Sequence, residues 1–201
     1  MNVLKTSELM TVRQHGAMEY TTPPCDLDEV RRYRLGRIQE ELVRQDLAGI
    51  ILYDQLNTRY ATDATNMQIW CSHNEARYVY VPASGGALIF EYGGKDLLSE
   101  GLPGIDDTIK PVSFFYMSAG QHVAERAKKW AVQMDAIIRE HSGGNRRIAI
   151  DRLAPVGVQE MEAIRYEVQD GFTVMEKARE IKSAGEIALM RKSIEVCESA
   201  I

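Results

Sequence analysis

Cysteine is scarce in this chain, and its few cysteines stand apart. Cys25, Cys71 and Cys197 are odd in number, widely spaced and form no CxxC pair, which argues against a disulfide framework or a thiolate zinc site. Long apolar runs are missing as well. No stretch reaches the roughly 18 residues that a membrane-crossing helix needs, and Met1 to Tyr20 lacks the apolar centre of a secretory signal, so a cytoplasmic location is expected, with no membrane partner. Charge of one sign is concentrated nowhere. Acids and bases are interspersed around a net charge of -5, which argues against a nucleic-acid footprint.

Most enzyme signatures are absent too. No GxGxxG follows a strand, Gly93-Gly94-Lys95 lacks the rest of a phosphate-binding loop, and there is no GxSxG elbow. His15, His73, His122 and His141 occur singly, without HExxH or other ligand spacing, so a metal site contained within the chain is not expected. His141 at a helix C-terminus is explained by the helix dipole, and His122 opens the same helix.

What remains is the balance of a globular domain: 201 residues, 45% hydrophobic and 26% charged. Residues 1–25 have no clear period, end near Pro23-Pro24 and read as an extended arm. Asp26 and Glu29 are spaced as a capping box, and Leu27, Val30, Leu35, Ile38 and Leu42 recur at helical spacing through Gln45. Arg31, Arg32, Arg34 and Arg37 on this helix read as a solvated face. Ile50 to Tyr53 is an apolar run suited to a sheet covered on both faces.

Further strands are expected at Met67–Trp70, Arg77–Val81 and Ala87–Tyr92, the last two closing a hairpin through Gly85-Gly86. Tyr78 and Tyr80 alternate with Val79 and Val81, which puts one residue type on each face. Segment 93–107 reads as a helix stub plus loop, and Ile109–Phe115 as an edge strand marked by Pro111. A long helix over Gln121–His141 is followed by a strand at Arg147–Asp151, a helix over 157–169 and a strand at Phe172–Met175. Ser183 and Glu186 form a second capping box. It opens a helix still running at the last residue, with Ile187, Met190, Ile194 and Cys197 on one stripe. The alternation predicts an α/β domain of three layers with a mixed, mostly parallel sheet flanked by helices.

One stretch differs from ordinary scaffold. Residues 57–74 pack Arg59, Tyr60, Asp63, Trp70, His73 and Asn74 among further amides, directly after a buried strand, where loops at sheet ends build ligand sites. A purely structural account is also available: Asn and Asp favour turns, Arg59 and Asp63 at i, i+4 could pair, and Trp70 could be core.

Asn57-x-Arg59-Tyr60-Ala61-Thr62-Asp63, Thr65-Asn66-Met67-Gln68-x-Trp70 and His73-Asn74 resemble the N-terminal domain of creatinase/prolidase-type enzymes. The resemblance is to the subgroup that includes dimethylsulfoniopropionate lyases and Xaa-Pro peptidase homologues. The tail agrees: Glu176-Lys177-x-Arg179-x-Ile181-Lys182-Ser183-x-x-Glu186-Ile187-x-x-Met190-Arg191 resembles the linker and first helix of the family's catalytic domain.

The resemblance implies an arm over 1–25, a creatinase-type N-terminal α/β domain over 26–175, and the linker and start of a pita-bread catalytic domain over 176–201. It implies a homodimeric parent acting on a small-molecule or dipeptide substrate with two divalent metal ions, whose ligands would lie beyond Ile201; no catalytic residue and no metal ligand is assigned here. It also implies a substrate-access rim of Arg59, Tyr60, Asp63, Trp70, His73 and Asn74. Arg59 would pair a carboxylate, and Trp70 would close on an apolar or onium group. The parent would be a peptidase-like hydrolase or a dimethylsulfoniopropionate lyase. The alternatives are a stand-alone interaction module of the same fold and an unrelated doubly wound binding domain with a fully parallel sheet.

Overall fold

The structure, a computed structural model, describes residues 23–93 and 96–201. The arm expected over 1–25, through residue 22, and the Gly94-Lys95 pair lie outside the described residues, as does His15. Six strands form one sheet in the order β4-β3-β2-β1-β5-β6, with β1 at Gly49–Leu52, β2 at Tyr78–Pro82, β3 at Ala87–Phe90, β4 at Ile105–Ile109, β5 at Arg147–Ile150 and β6 at Glu167–Asp170. β2 runs antiparallel to both its neighbours, while β1–β5, β5–β6 and β3–β4 are parallel. The sheet is therefore mixed and mostly parallel, and the antiparallel hairpin over 78–90 rules out the fully parallel alternative.

Period-two alternation sorts the core into two clusters, one on each face of the sheet. Ile51, Tyr78, Tyr80, Phe90 and Ile148 pack against α5 (Val123–Ser142), which follows the one-turn α4 (Tyr116–Ala119) and whose Trp130, Met134 and Ile138 are fully buried, and against Met161 of α6 (Pro155–Ala163). Ile50, Leu52, Val79, Val81, Ile89 and Ala149 face the other way. They meet Leu35, Ile38 and Leu42 of α1 (Leu27–Arg44), Ala61 of α2 (Gln55–Thr62), and Val174, Met175 and Ala178 of α7 (Gly171–Glu180). The tyrosine face and the valine face expected of β2 are both present.

Four elements differ from expectation. The helix expected over 157–169 ends at Ala163, and Glu167–Asp170 is β6. Met67–Trp70 is not a strand: α3 (Gln68–His73) forms there, with Cys71 N–H donating to Met67 O at 2.9 Å. Both edges of β2, the strand that follows this segment in the chain, are already taken by β1 and β3, so the segment cannot pair with that strand. Residues 172–175 lie in α7. Asp170 caps its N-terminus by accepting from Phe172 N (3.2 Å) and Thr173 N (3.0 Å), and the strand is β6, just upstream. The edge strand lies at Ile105–Ile109, ahead of Pro111 rather than through it.

The arginines of α1 are not a solvated face. Arg31 binds Asp63, Arg34 binds Glu186, and Arg37 reaches Ala178 O; Arg32 is exposed. Among the described residues no helix is long and apolar enough to cross a membrane.

Candidate functional site

The carboxyl ends of β1, β3 and β5 lie at one edge of the sheet, and the chain leaves β1 there directly into α2. Asp54 starts this helix by accepting from Leu56 N (2.9 Å) and Asn57 N (3.1 Å), and Asp63 ends it in the left-handed region at φ 57°. Asn57, Thr58, Ala61 and Thr62 turn inward. Helical spacing therefore sends Arg59, Tyr60 and Asp63 to the outer side, where they line a groove of about 1040 Å³ between α2, α7 and α8 (Ala184–Ser199).

Asp63 does not pair with Arg59. Its Oδ2 accepts from Arg31 Nε at 2.9 Å and Nη2 at 2.7 Å. The Arg59 side chain is left exposed, with no hydrogen bond or ion pair to any other described residue; its backbone O accepts from Asp63 N at 2.7 Å. Tyr60 is half-buried: its hydroxyl donates to Ala178 O at 3.3 Å, burial pushes its pKa up, and the Arg34 guanidinium sits 5.3 Å from its ring centre.

Trp70, His73 and Asn74 sit elsewhere, on or just after α3. Trp70 tilts against Tyr92 (5.2 Å between ring centres) and meets Phe115 edge-on (6.3 Å), making a half-buried aromatic cluster. His73 is exposed. Asn74 is buried and closes α3 by donating Nδ2 to Trp70 O at 3.2 Å, which is a structural duty. Thus three of the six expected rim residues share the groove, while the other three are grouped around α3.

Two buried polar networks beneath this segment escaped the sequence reading. Arg77 and Glu91, each 1% exposed, form an ion pair at 2.6 Å; Glu91 also accepts from Asn66 Nδ2 at 2.9 Å. This ties the 64–67 turn to β2 and to the end of β3. Asp151, just past β5, accepts from Tyr53 N (2.7 Å), Asp54 N (3.2 Å) and Asn57 Nδ2 (2.9 Å), and Asn57 Oδ1 accepts from Arg179 Nη1 at 3.0 Å. Desolvation outweighs these three donors and pushes Asp151 up to about 6. The only sequence signal for either network was a charged residue abutting an apolar strand run, as Arg77, Glu91 and Asp151 do. Among the described residues no three His, Cys, Asp or Glu side chains converge as metal donors.

No protein-family model matches the chain. Over 176 residues, 88% of this chain, it is 35% identical to dimethylsulfoniopropionate lyase DddP of Roseovarius nubinhibens, and 36% identical over the same length to the DddP of Roseobacter denitrificans. It spans only 40% and 39% of the length of these two relatives. In fold it is similar to a prolidase from Thermococcus sibiricus, with a TM-score of 0.59 and 17% identity over 84% of this chain and 42% of that one.

Proposed function

We propose, from the premise that the chain belongs to the creatinase/prolidase family, that it is the non-catalytic N-terminal part of a metal-dependent enzyme, where it shapes substrate access and supports dimerisation. The observation that carries this reading is Arg59: a guanidinium presented on a groove by a well-capped helix, while its expected partner Asp63 is occupied by Arg31. A cation with no ion pair among the described residues in that position is suited to a ligand carboxylate. The Trp70–Tyr92–Phe115 cluster offers aromatic faces for an apolar or onium group. Tyr60, Asp63, His73 and Asn74 complete the rim as walls and supports rather than as reacting groups.

In this reading 26–175 is the access domain and 176–201 the entry to a catalytic domain that carries the two divalent metal ions. The work of this chain, so read, is to orient and exclude. The stripe of Ile187, Met190 and Ile194, each 42–56% exposed on α8, is the seam on which that catalytic domain packs. The kinship to two dimethylsulfoniopropionate lyases makes a lyase of that type the first reaction to test, with Xaa-Pro dipeptide hydrolysis second.

The chain by itself, supplied with divalent metal, is expected to turn over neither dimethylsulfoniopropionate nor Xaa-Pro dipeptides. Turnover at a stoichiometric metal site in the 201-residue chain would overturn the reading. In the whole parent, Arg59→Ala is expected to raise KM for the carboxylate substrate about tenfold or more, as loss of a charged hydrogen bond implies. An unchanged KM would remove Arg59 from the rim.

A further inference from the structure

Helix α8 is joined to the domain almost wholly through its first turn. Glu186 is its one buried residue, and the side chains beyond that turn are half-buried or exposed. The Glu186 carboxylate carries two loads. Oε2 accepts from Ser183 N at 3.0 Å, completing the capping box with Ser183 Oγ, which accepts from Glu186 N at 3.2 Å. Oε1 accepts from Arg34 Nε of α1 at 2.8 Å, and the Arg34 guanidinium in turn lies over the Tyr60 ring.

The remaining ties among the described residues sit at the same end. Tyr33 OH donates to Ile181 O at 3.0 Å, and Cys25 Sγ donates to Gly185 O at 3.6 Å. Gly185 passes so near α1 that a Cβ there would lie 2.7 Å from Val30 Cγ2. Between α7 and α8 the connector Ile181-Lys182-Ser183 is extended at both ends, with Ile181 at φ -101°, ψ 125° and Ser183 at φ -69°, ψ 164°.

We propose that this connector is a hinge and that the Arg34–Glu186 ion pair, seated on Tyr60, is the latch that fixes the angle of α8 against α1 and so sets the width of the groove. A helix of 16 residues is about 24 Å long, so a tilt of about 10° at the pinned end moves the far end by about 4 Å. Arg34, Glu186 and Tyr60 are therefore positioning residues, and Tyr60 acts through Arg34 rather than on a ligand. The assignment deepens the reading of the groove as an access wall, yet it can be tested without any substrate.

The test places one spin label on Cys197, exposed near the far end of α8, and a second on α5 through Lys128→Cys, in a Cys25→Ser, Cys71→Ser background. The unmodified latch should give one narrow distance. Arg34→Met and Glu186→Gln should each broaden that distribution at least twofold, and Tyr60→Leu, which keeps the ion pair, should broaden it less. An unchanged width in Arg34→Met would overturn the proposal. So would circular dichroism showing that Arg34→Met unfolds the sheet domain as a whole, because a latch acts on α8 alone. Failure here leaves Arg59 untouched as a rim residue, and failure of the Arg59 test leaves the latch standing.

Discussion

At the scale of the residue, burial converts ordinary side chains into groups with a pH dependence. Asp151 is held up to about 6 in the fold against 3.8 for an ordinary aspartate, because desolvation exceeds the help of its three donors. A carboxyl whose folded pKa is raised binds its proton more tightly in the native state. Its contribution to stability is therefore full below about pH 4 and is lost as pH rises through about 6, amounting to up to about 3 kcal/mol. Asp151→Asn should remove that component: in urea denaturation, wild type should gain on the variant between pH 7 and pH 4.5, and a constant difference would refute the assignment. Arg77 and Glu91 are a different case, since each is the other's compensation in a fully buried site. Arg77→Met alone should cost about 3 to 5 kcal/mol by stranding the Glu91 charge, measured as a lowered urea midpoint. These partners were not legible in the sequence, because Arg77 and Glu91 are 14 positions apart and Asn57 and Asp151 are 94 apart.

At the scale of the element, caps and periodicity were legible and edges were not. Asp26, Ser183 and Glu186 start the helices that their spacing predicted, since a cap is a local bond between a side chain and the backbone two or three residues on. The periodicity of the α3 segment and of the start of α7 reads as strand, while both are helical. A short run such as Phe172–Met175 is apolar enough for either structure, and only its neighbours decide whether a sheet edge is open to it. For α7 the deciding contact is Gly171, where a Cβ would lie 2.5 Å from Asp151 N and 2.6 Å from Ile150 C. Those are backbone atoms that cannot move aside, so Gly171→Ala should destabilise by about 2 kcal/mol, read as a lowered midpoint with an unchanged denaturant slope. A neutral outcome would mean that α7 can slide away from β5.

At the scale of the whole molecule, one sheet is shared by two cores. Ile38 packs on one face and Trp130 on the other, each fully buried, with the central strands between them. Removing side-chain volume from one face should therefore weaken both together. In a Trp70→Phe background, Ile38→Ala should lower the midpoint reported by Trp130 fluorescence by an amount equivalent to about 2 to 5 kcal/mol, in a single transition. Two separated transitions would show that the faces unfold independently.

The sequence by itself determined the three layers, the tyrosine and valine faces of β2 and the helix caps at Asp26 and Ser183, because each is written in short-range periodicity or in a bond spanning a few residues. Only the tertiary structure decided which charges meet. Arg31 takes Asp63 and leaves Arg59 without an ion pair among the described residues, and Arg34 takes Glu186 across 152 positions, because ion-pair partners are chosen by distance in space once the sheet has brought α1, α2, α7 and α8 together.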